Sequence, residues 1–145
     1  MQDEIGAALE IVKERLAREA RLCCSLDGVE EPVEVGAPGE LEEYLARCGA
    51  VILTFYSPTC PYCKAFAPVY AVVSREYPRV PFLRVNTWAL PGVARDMGVM
   101  GVPTTIGFAR GRPVAVLYGY AGPERLEELV EIVLRHAQCD PGEEG

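Results

Sequence analysis

Basic charge is the first thing this sequence is short of. It carries 14 Lys and Arg against 21 Asp and Glu, a formal net charge of −7 and a pI near 4.8. That balance excludes a binder of nucleic acid or anionic membrane, which needs a basic face. Long apolar runs are also missing. The longest, such as residues 50–56, fall far short of the ~18–20 residues of a membrane span. The first residues, Met1-Gln2-Asp3-Glu4, are acidic, and neither a basic n-region nor an apolar h-region follows, so the expected location is cytoplasmic. Side-chain amides are scarce, with Asn86 alone and only Gln2 and Gln138, and Lys13 and Lys64 stand against 12 Arg. Few amides mark proteins that work hot, and GC-rich codon usage gives the same pattern.

What remains is ordinary for a folded domain: 145 residues, 50% hydrophobic and 24% charged. A chain of this length buries roughly two-thirds of its unfolded surface and needs no staples. Six cysteines, Cys23, Cys24, Cys48, Cys60, Cys63 and Cys139, are therefore not read as the framework of a mini-protein. Inside a cell such residues are redox-active, metal-binding or simply buried.

Ile5, Leu9, Val12 and Leu16 recur at helical spacing and predict an amphipathic helix over 3–22, with Glu14 and Arg18 one turn apart. Gly and Pro punctuate residues 25–39, which read as a loop with a short edge strand at 33–35. Then come a helix over 40–48, a buried strand over 51–56, a helix over 61–77 with Pro68 as a kink, a strand over 80–86 and a short helix over 91–98. Residues 104–109 and 114–118 flank Arg110-Gly111-Arg112-Pro113 as a hairpin, and a helix over 123–137 closes the chain with Pro123 at its start. This order predicts an α/β fold: a central mixed β-sheet flanked by helices on both faces, with an extra N-terminal helix.

Cys60-Pro61-Tyr62-Cys63 falls where a strand ends and a helix begins, the context of a redox dithiol. With Cys60 as the helix cap, Pro61 takes the first helical position, where its missing N–H costs nothing. The free N–H groups of Tyr62 and Cys63 then face the Cys60 sulfur, and they and the helix dipole favour thiolate over thiol. Cys63, one turn inward, is placed to resolve a mixed disulfide, and Lys64 adds a cation nearby. Structural zinc is disfavoured. There is no second C-x-x-C, and His136, the single histidine, lies in the last helix, where it complements the helix dipole. An inert structural bridge is disfavoured too, because the two-residue gap makes a tight, exposed ring.

The segment VILTFYSPTCPYCKAFAP, with its proline five residues after the second cysteine, is similar to the active-site region of the thioredoxin superfamily. FLRVN at 82–86, GVMGVPT at 98–104, FARGRPV at 108–114 and Gly119 continue the resemblance, which covers roughly residues 40–137. The Pro-Tyr dipeptide is that of glutaredoxins and of one unit of archaeal protein disulfide oxidoreductases, while the surrounding sequence is closer to thioredoxin. The resemblance implies a thioredoxin fold over 40–138, preceded by a helix-and-loop extension over 1–39 and followed by an acidic tail over 139–145. It implies that Pro103 is a cis-proline facing the cysteines and that Val102 and Pro103 form an edge on which a substrate strand docks. Pro61 and Tyr62 join that substrate-binding set. Tyr56 and Thr59 stand where thioredoxins commonly have tryptophans, and Trp88 is expected to pack beside the site.

Thr54 occupies the position of the buried acid of thioredoxins, and a hydroxyl cannot act as a base near neutral pH. This departure puts the thioredoxin manner of deprotonating Cys63 in question. Arg84 takes the place of the lysine paired with that acid and reads as a solvated charge. Cys48 reads as a buried thiol. Cys23 and Cys24 leave two arrangements open: a disulfide from one of them to Cys139, or a vicinal pair passing electrons to Cys60 and Cys63.

The activity implied is that of a thiol–disulfide oxidoreductase acting on disulfide-containing proteins, with Cys60 as nucleophile and Cys63 as resolving thiol. It needs no organic cofactor or metal and draws electrons from a partner reductase; a monomer or homodimer is expected, with no nucleic acid or membrane partner. The alternatives are a protein-interaction module and a glutaredoxin-like iron–sulfur cluster carrier. The intact dithiol argues against the module, and colour in the purified protein would reveal the carrier.

Overall fold

In a computed structural model, which describes residues 2–24 and 31–142, four of the five helices begin at a proline. They are α2 (Pro38–Arg47), α3 (Pro61–Ser74), α4 (Pro91–Asp96) and α5 (Pro123–Ala137), each using the first-turn position where proline removes no hydrogen bond. The remaining helix, α1, spans Gln2–Arg21. Pro68 lies inside α3. α5 coincides with its predicted span and stops at Gln138, whose left-handed conformation (φ 53°) ends the helix.

Five strands form one sheet in the order β1-β3-β2-β4-β5: β1 (Val33–Glu34), β2 (Ala50–Tyr56), β3 (Phe82–Asn86), β4 (Thr104–Ala109) and β5 (Arg112–Tyr118). β3 pairs in parallel with β1 and β2, whereas β2–β4 and β4–β5 are antiparallel, so the sheet is mixed as expected. The hairpin turn is only two residues, Arg110 (φ 53°) and Gly111 (φ 79°), both left-handed as the strand twist favours. Pro113 therefore lies within β5, beside the register shift at Gly107/Phe108. It is tolerated there because β5 is an edge strand.

Period-two alternation splits the core. Val51, Leu53 and Phe55 face α2 and α4 with Leu41 and Val93, while Ala50 and Ile52 face α3 and α5 with Phe66, Tyr70, Val73, Leu126 and Val130. The buried Tyr70 hydroxyl points at Leu83 O (2.7 Å) and Ile52 O (3.2 Å), fixing α3 across the parallel pair.

Residues 6–15 of α1 are all exposed, including Leu9 at 54% and Val12 at 50%, so this stretch does not cover the sheet. Side chains of Ile5, Leu16 and Arg18, which complete the expected apolar stripe and ion pair, lie outside the described set, as do residues 25–30 and Glu143, Glu144 and Gly145. The extension is tied down just after α1. Cys23 N–H donates to Asp140 O (2.8 Å), Asp140 N–H to Arg21 O (2.6 Å) and Gly49 N–H to Cys23 O (2.6 Å).

Two disulfides lock this junction: Cys23–Cys139, with Cα atoms 4.8 Å apart, and Cys24–Cys48, at 4.4 Å. The first is one of the arrangements left open. The second corrects the reading of Cys48 as a buried thiol: its environment is buried, but Cys24 on the neighbouring strand-like segment sits directly opposite it. Both bridges lie at the start of β2 and Cys60 just beyond its end, a strand length of roughly 20 Å away. The vicinal pair is thus committed elsewhere and does not adjoin the dithiol.

Candidate active site

β2 ends at Tyr56, and a short turn leads into α3 with Cys60 as its cap. The Cys60 Sγ accepts the Cys63 N–H at 3.1 Å, the arrangement expected of a helix-capping sulfur. It also lies 3.8 Å from Val102 O, to which its S–H donates. The Val102–Pro103 peptide bond in this loop is cis. Cys60 and Cys63 are both free thiols, the first half-buried and the second buried. Pro61 and Tyr62 sit on the open side, Tyr62 being 68% exposed, while Pro103 is buried and Val102 half-buried. Lys64 is exposed. These residues come together at one end of the sheet. Trp88, in the turn after β3, is 63% exposed, its backbone N–H donating to Asn86 Oδ1 at 2.9 Å.

Beneath the cysteines the sheet presents one row. Register pairs Glu34 with Arg84, Arg84 with Thr54 and Thr54 with Thr105, so all four side chains rise toward α3. Thr54 and Thr105 hydroxyls share a buried hydrogen bond of 2.9 Å, a neutral floor where the resembled proteins have an acid.

Arg84 is not the solvated charge expected of it. Its guanidinium carbon lies 4.2 Å from the Tyr56 ring centroid, and Nη1 is 3.4 Å from Glu34 Oε1. The same Glu34 oxygen accepts the Tyr56 hydroxyl at 2.8 Å. Burial raises the Tyr56 pKa, helped by Glu34. Neither Glu34 nor Thr105 is singled out by sequence motif. The available signal was an arginine between the apolar Leu83 and Val85 of FLRVN, which needs a partner from the adjacent strand.

Burial also pushes the Cys63 thiol up from its ordinary 9.0 to about 11, with the Cys60 sulfur adding to the effect. The Ser57 backbone and the Arg84 charge act in the opposite direction. Cys63, Lys64, Tyr56, Ser57 and Arg84 share a cavity of about 250 Å³. Among the described residues no group of three or more His, Cys, Asp or Glu is placed to hold a metal ion, and no helix is long and apolar enough to cross a membrane.

A dithiol at the head of a helix leaving the central strand of a mixed sheet, set against a cis-proline loop, defines the class of thioredoxin-fold proteins. The chain belongs to the thioredoxin family: its family model matches residues 33–134. The chain is 30% identical over 91 residues to thioredoxin-1 of Saccharomyces cerevisiae, covering 63% of this chain and 87% of that one. It is 32% identical over 107 residues to glutaredoxin-3 of Bos taurus (72% of this chain, 31% of that one). To protein disulfide-isomerase A4 of Homo sapiens it is 29% identical over 100 residues (66% and 15%). It therefore spans less than a third of the latter two. Among solved structures, a thioredoxin mutant from Halobacterium salinarum matches with a TM-score of 0.69 at 25% identity, over 73% of this chain and 93% of that one. These relatives support a thiol–disulfide oxidoreductase type of function in general.

Proposed function

We propose that this protein reduces or exchanges disulfides in other proteins through the Cys60–Cys63 pair. The observation that carries the reading is the capping geometry: a half-buried Cys60 sulfur accepting the Cys63 N–H at 3.1 Å beside Val102 O. This places the Cys60 sulfur at the accessible head of α3 as the attacking group, and the thiolate is the attacking species in disulfide exchange. Cys60 attacks one sulfur of the substrate disulfide; an S–S bond forms to Cys60 and the substrate's other sulfur leaves as thiolate and takes up a proton. Cys63, once deprotonated, attacks the Cys60 sulfur, the second substrate thiolate leaves, and the Cys60–Cys63 disulfide has taken two electrons from the protein dithiol to the substrate. A partner reductase returns them. Exposed Tyr62 and Pro61, with Val102 and Pro103, form the edge against which a substrate strand lies. Lys64 and the Thr54 floor support the site, and the compartment assigned with this activity is the cytoplasm.

The test is to trap the intermediate. Cys63→Ser, incubated with a disulfide-bonded protein, is expected to accumulate a mixed disulfide through Cys60 that dithiothreitol releases. Absence of any adduct from folded Cys63→Ser, with Cys60 shown to be free, contradicts the assignment.

A further inference from the structure

The resolving step has an unmet need. Cys63 is buried, and the hydroxyl pair Thr54–Thr105 beneath it supplies no base. The cavity Cys63 shares with Tyr56, Ser57, Lys64 and Arg84 has room at about 250 Å³ for several waters, which each occupy roughly 30 Å³ in the liquid. Arg84 is held at this cavity from two sides, its flat face on the Tyr56 ring at 4.2 Å and its Nη1 on Glu34 at 3.4 Å. Register with Thr54 directs it to the face on which Cys63 lies. Its side chain is 32% exposed, so its field is only partly screened.

We infer that Arg84, pinned by Tyr56 and Glu34, is a positioning residue for the resolving step: its guanidinium, across the cavity the two residues share, favours the Cys63 thiolate in place of a buried acid and base. The inference rests on the reading of Cys63 as the resolving thiol. The Cys63 proton passes to water in the cavity, and the thiolate attacks the Cys60 sulfur of the mixed disulfide; the Cys60–Cys63 bond forms, the bond to the substrate breaks, and the departing substrate thiolate is protonated from water. Among the described residues, the charged or titratable groups facing Cys63 are Cys60 at the cap of α3, Lys64 on α3, Tyr56 on β2 and Arg84 on β3, with Glu34 on β1 behind Arg84. Arg84 is the cation on this list that the sheet holds in place, whereas Lys64 is exposed.

The experiment follows the Cys63 Cβ chemical shift against pH by NMR in a Cys60→Ser background, where Cys63 is the only free thiol. Adding Arg84→Met is expected to move the titration midpoint up by about 0.5–1 pH unit, the scale of one nearby opposite charge partly open to water, which below the midpoint is about a three- to tenfold fall in the thiolate fraction. Arg84→Lys is expected to retain most of it, and Glu34→Gln, which leaves the guanidinium uncancelled, to increase it. Opposite responses to Arg84→Met and Glu34→Gln identify charge as the agent. A thiolate fraction within about twofold of the parent in folded Arg84→Met overturns the proposal, as does a fall of similar size in both variants, which would mark a packing effect. The readout needs no turnover, so failure of the proposed reaction and failure of this inference are seen separately.

Discussion

Replacing Thr54 by Val removes one hydroxyl and little volume from the floor of the site. Thr54 is 4% exposed and Thr105 0%, and their hydroxyls meet at 2.9 Å. Thr54→Val therefore strands the Thr105 hydroxyl in a dry interior, where an unpaired polar group costs about 1–3 kcal/mol. Thr105→Val strands the Thr54 hydroxyl and should cost a similar amount. The double variant leaves neither, and swapping both partners for apolar groups of the same shape is close to neutral. The cycle should accordingly show a coupling of about 1–3 kcal/mol, with the double variant more stable than at least one single. In urea, where a domain of this size loses about 1–3 kcal/mol per molar, each single variant should lower the unfolding midpoint by about 0.5–1 M at unchanged slope. Simple additivity of the two substitutions, or a Thr54→Val variant as stable as the parent, would refute the shared hydrogen bond as the feature that sets this floor.

Gly107→Ala on β4 places a methyl against the side chains of Val133 and Leu129, packed from α5, and is expected to cost about 1–3 kcal/mol by thermal unfolding. Removing the Cys23–Cys139 bridge, which closes 116 residues, should destabilise by about 5 kcal/mol, and removing Cys24–Cys48, which closes 24, by about 3 kcal/mol, on a chain-entropy scale; denaturation of Ser pairs without reductant checks the order, and a larger loss from the shorter loop would contradict it. Because the folded-state pKa of Cys63 is raised, the folded protein keeps a proton that the unfolded chain gives up. Stability of the dithiol form is then fully present below about pH 9 and lost as the pH rises from 9.0 toward about 11. Urea midpoints across that range should fall more steeply for the dithiol protein than for Cys63→Ala, and parallel curves would remove the basis for a buried, proton-retaining Cys63.

Much of this was legible from local signals. Pro123 followed by Leu126, Leu129, Val130 and Val133 states both the start of α5 and the face it buries. The cap at Cys60 could be read from a cysteine before a proline where an apolar strand stops. What was not legible depends on pairing between distant segments. Four cysteines outside the motif allow three pairings, and sequence spacing does not select among them. The choice is made by the bridges that lay residues 22–24 between Asp140 and Cys48. Arg84 was misread for the same reason: its partners, Glu34 and Tyr56, lie 50 and 28 residues away, and only register in the sheet joins them. α1 offered the reverse lesson, since an amphipathic pattern predicts a helix but not a partner for it, and Leu9 and Val12 remain exposed.

The central claim is that Cys60 and Cys63 perform disulfide exchange on proteins, and insulin reduction by dithiothreitol tests it most directly. The protein is expected to accelerate precipitation of the insulin B chain strongly, Cys60→Ser to abolish the acceleration and Cys63→Ser to stall after a single mixed disulfide. No acceleration from the folded, fully reduced protein, or acceleration that survives Cys60→Ser, would contradict the account.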